Sequence, residues 1–293
     1  AKELINPKNQ VIVVNAPKKE NLVNPTEEEM LAVMAEVNAS DIEAYEDNAV
    51  KEPLIAETVV LKGSPVKKTA QNEVFGATEW TLKNGVKVIV KPSTLKADEV
   101  RLSAKSLGGA SLLSDEDYFT GQLLPAIAAM SGVSKFSATD LRKQLSGKTA
   151  SVNLSVDDYA NGLEGYASPK DLETMLQLLY LNFTQPRFSE DDFNTMVKMY
   201  KSYVENMTSN PDYIAQEELI KTIYNDNPRR QQLSVELLDG LQYAHLPAIF
   251  QTLYPGANSF TFTIVGNVDL DALKPLVEKY LSLIHISEPT RPY

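Results

Sequence analysis

Apolar and polar positions alternate with a period of two in several separate runs of the chain. Two runs flank Asn84-Gly85 in "TEWTLKNGVKVIVKP", and this dipeptide favours a tight hairpin turn. A third run, "DEVRLSAKSLGG", ends at Gly108-Gly109. The same period returns in "KTASVNLSVDD", "YANGLEGYAS" and "NSFTFTIVGN". The pattern therefore predicts three strands, a later strand pair and a closing strand.

Between these runs the apolar residues recur at every third or fourth position, which predicts helices. The expected helices are Tyr118–Met130, Ala138–Leu145, Pro169–Phe183, Ser189–Met207, Pro211–Tyr224, one around Tyr243–Leu253, and a last one in "DLDALKPLVEKY". Ser137 is a typical N-cap, and Pro169 suits the first position of a helix. This order of elements predicts an α+β fold, with an antiparallel-rich sheet and helices packed on one face.

The first 76 residues have a different pattern. "KNQVIVVNAPKKE" predicts a strand that ends at Pro17, and in the helix that follows, Thr26 and Glu29 form a capping box. These two elements are too small to fold alone, so residues 1–46 are interpreted as the end of a preceding, homologous domain. Residues 47–76 are predicted to be a linker with one strand at "AETVVLKG", and residues 77–280 the main domain.

The last thirteen residues, "LSLIHISEPTRPY" at 281–293, break the pattern of the helix before them. They match the translation of a sequencing adapter in one reading frame. We therefore interpret 281–293 as not native and give His285 no functional weight.

Composition narrows the classes of function. The 293 residues, 43% of them hydrophobic, are enough for a packed core, while the net charge of −11 argues against nucleic-acid binding. No run of 18 apolar residues occurs, so no membrane span is expected. The chain has no Cys and two His, which leaves too few ligands for a usual zinc site. The sequence does not encode the compartment, and a periplasmic location stays open.

Several strings in a fixed order resemble the pitrilysin/insulinase family of zinc peptidases, from Glu79 to about Tyr280. Leu82, Asn84, Gly85 and Val88 match the opening strand of that family. "SLGGASLLSDEDYFTG" matches its Gly-rich turn and acidic loop, and "TFTIVGNVDLDALKPLVEKYL" is similar to its closing strand and helix.

The resemblance also implies what is missing. Catalytic members carry His-x-x-Glu-His on the helix after the Gly-rich turn, where two His bind zinc and the Glu activates water. The corresponding positions here are Pro125, Ala126, Ile127, Ala128 and Ala129. The third zinc ligand would lie near Ser202 or Tyr203, and the nearest carboxylate is Glu205. The chain therefore resembles the leading domain of the metal-free second half, and zinc is expected in the first half.

Other candidate residues have structural interpretations. Arg229 and Arg230 could bind carboxylates of a peptide or belong to a solvated loop with local bonds. His245 is expected to be structural, and Asp115, Glu116 and Asp117 form an acidic turn without the spacing of a calcium loop. Helical spacing places Met175, Leu179, Met196, Met199, Tyr200 and Tyr203 in core or interhelix contacts. We predict no catalytic, cofactor-binding or metal-binding residue in this chain.

The function implied by the resemblance is the non-catalytic, chamber-forming and peptide-binding part of a zinc metalloendopeptidase. Its expected partners are a peptide substrate and the catalytic half, in the same or another chain, and neither nucleic acid nor membrane. An inactive scaffold or partner subunit is one alternative, and an independent peptide-binding module that uses a sheet edge is another. We expect the chain to take up no stoichiometric zinc and to cleave no peptide.

Overall fold

The computed structural model describes residues 11–16, 23–41, 52–56 and 58–284. The chain forms two units, residues 1–48 and 49–293. In the first unit, helix α1 (Glu27–Ala39) has the predicted capping box: the Glu29 N–H donates to Thr26 Oγ1 at 3.3 Å, and Glu29 Oε2 accepts from the Thr26 N–H at 2.7 Å. The expected preceding strand is wrong over residues 11–16, which have no regular structure, and its other residues lie outside the described ones. Val11 is 90% exposed there, without the sheet partner that a strand requires.

The second unit is built on one sheet of seven strands. They are β1 (Val66–Asn72), β2 (Ala77–Leu82), β3 (Lys87–Pro92), β4 (Val100–Leu107), β5 (Ala150–Val156), β6 (Ala160–Ala167) and β7 (Thr261–Gly266). The order across the sheet is β1-β2-β3-β7-β4-β6-β5. Strands β3 and β7 pair in parallel, and every other neighbouring pair is antiparallel. The predicted α+β fold with an antiparallel-rich sheet is confirmed.

The described residues of this unit also form eight helices, and the predicted ones are present. They are α2 (Tyr118–Ser131), α3 (Ala138–Gln144), α4 (Leu172–Thr184), α5 (Glu190–Met207), α6 (Pro211–Tyr224), α7 (Val235–Asp239), α8 (Leu246–Leu253) and α9 (Leu270–Tyr280). Pro169–Asp171 and Tyr243–His245, expected at the starts of α4 and α8, form short 3₁₀ turns instead. Helix α7 was not predicted, because its five residues are too few to show a helical period.

The main core lies between the sheet and helices α2, α4, α8 and α9. Alternate strand residues point into it, among them Trp80, Leu102 and Phe262, each at most 3% exposed. The rings of Phe183, Tyr254, Phe260 and Phe262 form an aromatic group within this core. The opposite side chains of the same strands are mainly polar and are exposed or half-buried, so within the described residues one face of the sheet is left without helices.

The strand predicted at "AETVVLKG" is wrong. The described residues of that stretch form no strand, and β1 begins later, at Val66. Lys67 and Lys68 interrupt the alternation of apolar and polar residues in β1, so the pattern did not predict this strand. An edge strand tolerates such charges, whereas a central strand would not. Part of the predicted linker 47–76 is therefore sheet, and Leu54 within it is buried, at 5% exposure.

Residues 281–284 continue from α9 as a 3₁₀ turn, Leu281–Leu283, followed by Ile284. Leu281 and Ile284 are buried, and the Ser64 N–H donates to Ser282 Oγ at 2.7 Å. Residues 285–293, with His285, lie outside the described residues. The adapter origin of 281–293 stays a prediction.

Candidate functional site

Helix α2 carries residues 125–129, the positions at which the resemblance implies the zinc motif of catalytic members. It follows the turn at Gly108-Gly109 and the short 3₁₀ helix Gly109–Leu112. Residues 125–129 carry hydrocarbon side chains only, so none can bind a cation or accept a proton. Pro125 lies inside the helix, where it also removes one backbone N–H. Zinc therefore does not fit this position.

A small pocket opens beside these residues. Pro125, Ala128 and Ala129 form its wall on α2, and Leu141 and Leu145 line it from the region of α3. Residues 151–154 of β5 and the side chains of Leu178 and Asn182 on α4 complete the lining. The volume is about 140 Å³. A space of this size, with a mainly aliphatic wall, can take one apolar side chain of a ligand.

Strand β5 forms one edge of the sheet, next to the pocket. In the ladder with β6, the Asp157 N–H donates to the Ala160 carbonyl at 2.7 Å, and the Ser168 N–H donates to the Thr149 carbonyl at 2.9 Å. Because antiparallel pairs alternate, odd-numbered residues of β5 bond to β6. The N–H and C=O groups of the even-numbered residues, Val152 and Leu154 among them, therefore point to the open edge.

The two edges of the sheet differ in protection. Strand β1, at the far edge, carries Lys67 and Lys68 and an irregular register between Val66 and Lys68. Strand β5, "ASVNLSV", has no charge and no proline, and its register with β6 is unbroken. Natural proteins usually block exposed edges with lysines, prolines or bulges. The β5 edge lacks these devices, and within the described residues no other strand pairs with it.

No described residues replace the missing metal ligands. Glu205, the nearest carboxylate to the expected third ligand, lies exposed on α5. Within residues 11–16, 23–41, 52–56 and 58–284, no group of three His, Asp or Glu side chains is placed to hold a metal ion. The described residues also contain no helix that is both long and apolar enough to cross a membrane.

Arg229 and Arg230 make local bonds to Asn227 through their backbone N–H groups, and their side chains contact distant parts of the chain. Arg229 Nε lies 2.5 Å from Asp115 Oδ1, and its guanidinium lies over the ring of Tyr118. Arg230 pairs with Asp158 in the β5–β6 turn. The expected local bonds are therefore present, and both arginines also hold the loop against the start of α2 and the strand turn.

Tyr118 and Asp158 form the centre of this polar network. The Tyr118 hydroxyl donates to Asp158 Oδ1 at 2.6 Å, and Gln122 Nε2 donates to the same oxygen at 3.1 Å. Burial, together with the bond to Asp158, raises the pKa of Tyr118 to about 12. The Tyr118 hydroxyl and the Arg230 guanidinium hold the pKa of Asp158 below its ordinary value. The network keeps opposite charges paired at neutral pH.

His245 and the acidic turn have structural contacts. His245 Nδ1 lies 2.7 Å from Asp117 Oδ1, at the start of α2. Asp115 forms an ion pair with Arg229, and Ser114 Oγ donates to Asp117 at 3.0 Å. These contacts fit the structural interpretation of His245.

The apolar residues at helical spacing divide into two groups. Met175, Leu179 and Met196 are buried, as expected. Met199 and Tyr203 are 62% and 55% exposed, so they lie outside the core and fit the interhelix alternative of the prediction. Together with Ala126, Met130, Met196 and Tyr200 they line an open groove of about 360 Å³ between α2 and α5.

Sequence reasoning did not identify β5 and its pocket as the candidate site. One signal was present: of the strands that form the sheet edges, "VKKTAQN" carries two lysines and "ASVNLSV" none. The difference in lysine content is informative only for strands known to lie at the edges of the sheet. The sequence does not show which strands those are.

Comparison with known proteins agrees with the resemblance stated from the sequence. The chain is 24% identical over 220 residues to a probable zinc protease PqqL of Haemophilus influenzae, covering 73% of this chain and 23% of the relative. It is 24% identical over 274 residues to a zinc protease PQQL-like protein of Arabidopsis thaliana, covering 91% and 26%. No family model matches the chain. The expected likeness to zinc proteases is confirmed, and the chain spans about a quarter of the length of these relatives.

Solved structures establish the fold. The crystal structure of the periplasmic protease PqqL from Escherichia coli aligns with a TM-score of 0.68 and 21% identity, over 90% of this chain and 29% of that one. A mutant of the ferredoxin protease FusC, in complex with Arabidopsis ferredoxin, aligns with a TM-score of 0.67 and 19% identity, over 92% and 30%.

Proposed function

We propose that this chain is the non-catalytic, chamber-forming and peptide-binding part of a zinc-dependent peptidase. Its curated relatives are zinc proteases about four times as long as the matched region. The positions of the zinc motif carry Pro125 and aliphatic side chains, which supports a metal site elsewhere in the whole protein. The catalytic half, in the same or another chain, is then the natural partner.

The unprotected edge of β5 is the observation that carries the peptide-binding part of this proposal. An extended peptide could add to β5 through the outward N–H and C=O groups of Val152 and Leu154. Main-chain bonds of this kind do not depend on the peptide sequence. The pocket beside Pro125 would then bind one apolar side chain of the peptide, which gives a modest preference for peptides with an apolar residue at that position.

Strand addition is tested by Val152→Pro. Proline removes the outward N–H of residue 152 and places a ring at the edge, while the bonds of β5 to β6 use the odd-numbered residues and remain. We expect a labelled, unstructured apolar peptide to bind roughly tenfold more weakly, because a lost main-chain bond leaves a buried partner group unsatisfied. Fluorescence anisotropy with the purified chain measures the difference.

Val152→Ala is the matched control, because it shortens the side chain and keeps the N–H. Circular dichroism should show both variants folded. Equal peptide affinity for the proline and alanine variants would exclude strand addition at β5.

The metal-free part of the proposal has its own test. The chain is incubated with one equivalent of zinc, dialysed, and analysed for bound metal and for cleavage of a fluorogenic peptide. We expect no stoichiometric zinc and no cleavage, because helix α2 supplies no ligand at 125–129. One tightly held zinc per chain would overturn the assignment to a non-catalytic part.

The inactive scaffold remains a second candidate, favoured by the same apolar stretch of α2. The two candidates make the same predictions for this chain and different ones for the whole protein. The full-length protein should cleave peptides if the first proposal holds, whereas a scaffold should bind them without cleavage.

A further inference from the structure

The open face of the sheet carries a straight row of three lysines. The register pairs Lys68 with Thr81, Thr81 with Lys87, Lys87 with Thr261, and Thr261 with Lys105. These five residues lie side by side on strands β1, β2, β3, β7 and β4. Lys68, Lys87 and Lys105 are all exposed. We call these five residues the lysine row.

The spacing of the row follows from sheet geometry. Neighbouring strands lie about 4.8 Å apart, so the lysines are roughly 10 Å apart and the row is about 20 Å long. Threonine hydroxyls occupy the two strands between them. The row therefore offers ammonium and hydroxyl donors in alternation, a set of donors that suits carboxylates.

No ion pair within the described residues uses these three lysines. Two carboxylates on the same face, Glu79 and Glu164, lie in the next row along the strands. Glu79 accepts from Asn72 Nδ2 at 2.8 Å, and Glu164 accepts from Ser103 Oγ at 2.9 Å. Three unpaired cations in line are unexpected on a chain of net charge −11.

We propose that the lysine row binds an acidic polypeptide segment in an extended conformation. An extended chain of the polyproline II type has three residues per turn and advances about 3.1 Å per residue, so acidic side chains at every third position lie on one side, repeat at about 9 Å and match the lysines. The row has no aromatic side chain on which a base could stack, and the chain as a whole would repel phosphate, so a nucleic acid is disfavoured. This inference does not depend on the peptidase assignment or on binding at β5.

The probe is a labelled nine-residue peptide with Glu at its first, fourth and seventh positions among Gly and Ser, compared with the same peptide carrying Gln. We expect the Glu peptide to bind more tightly at 50 mM NaCl and the difference to vanish near 1 M, where charges are screened beyond about 3 Å. Replacing all three lysines (Lys68→Gln, Lys87→Gln, Lys105→Gln) should weaken Glu-peptide binding roughly tenfold.

A second triple variant separates the row from net charge. Lys62→Gln, Lys170→Gln and Lys198→Gln remove three exposed lysines elsewhere, and this variant should bind the Glu peptide within about twofold of the unaltered chain. Val152→Pro should also keep Glu-peptide binding, which distinguishes this surface from β5. Equal weakening by both triple variants, or tighter binding of a ten-nucleotide oligothymidylate than of the Glu peptide, would overturn the proposal.

Discussion

Replacing Phe262 with alanine is expected to lower the free energy of unfolding by about 3–5 kcal/mol. Phe262 lies on β7 near the centre of the sheet and is 0% exposed. Its ring centroid lies 6.2 Å from that of Phe183 and 6.4 Å from that of Phe260. Alanine would lose this buried surface and leave a cavity that the paired strands on both sides cannot close.

Urea unfolding measures this loss, with the fluorescence of Trp80, the single tryptophan of the chain, as a buried reporter. Phe262→Leu keeps most of the volume and should cost about 1 kcal/mol, which gives a usable variant if alanine prevents folding. Phe75→Ala removes the same group from a site that is 67% exposed and should change stability by less than about 0.5 kcal/mol. Similar losses for Phe75→Ala and Phe262→Ala would contradict the assigned core.

Replacing Gly109 with alanine is expected to cost about 4 kcal/mol. Gly109 has a φ of +57°, and an added Cβ would lie 2.3 Å from the Asp157 carbonyl oxygen and 2.5 Å from the Ala160 nitrogen. Both atoms belong to backbone in the β5–β6 turn, which cannot yield as a flexible side chain would. Backbone strain and overpacking, each about 1–3 kcal/mol, therefore add.

Gly147 offers a matched control for the backbone term. Its φ is +78°, but an added Cβ would meet nothing within 4 Å. Gly147→Ala should cost about 1 kcal/mol, from the left-handed conformation alone. The difference between the two variants isolates the clash with the turn, and a difference near zero in urea unfolding would show that the turn is free to move.

The sequence was sufficient for most of the regular elements, because their signals are local. The hairpin at Asn84-Gly85, the N-cap Ser137 and the helix at Pro211–Tyr224 were all predicted and are present. The elements that the sequence did not predict also have a physical explanation. Strand β1 has charges in place of alternation, and α7 is too short for a period.

The candidate site was much less accessible to sequence reasoning. The absence of ligands at 125–129 could be read directly from the residues. The pairing of Arg230 with Asp158 could not be read from the sequence, because the two residues are 72 positions apart (230 − 158 = 72) and only the fold brings them together. The edge position of β5 and the alignment of Lys68, Lys87 and Lys105 depend on strand order, which local patterns do not contain.

The parallel pairing of β3 with β7 has a consequence for biosynthesis. Lys87 lies beside Thr261, so 174 residues separate the partners at the middle of the sheet (261 − 87 = 174). At about 5–20 residues per second, a ribosome would need roughly ten to thirty-five seconds to supply the second partner after the first. During that interval the outer edge of β3 in the nascent hairpin keeps unpaired N–H and C=O groups. We expect a chaperone that holds unfolded chains to bind this segment.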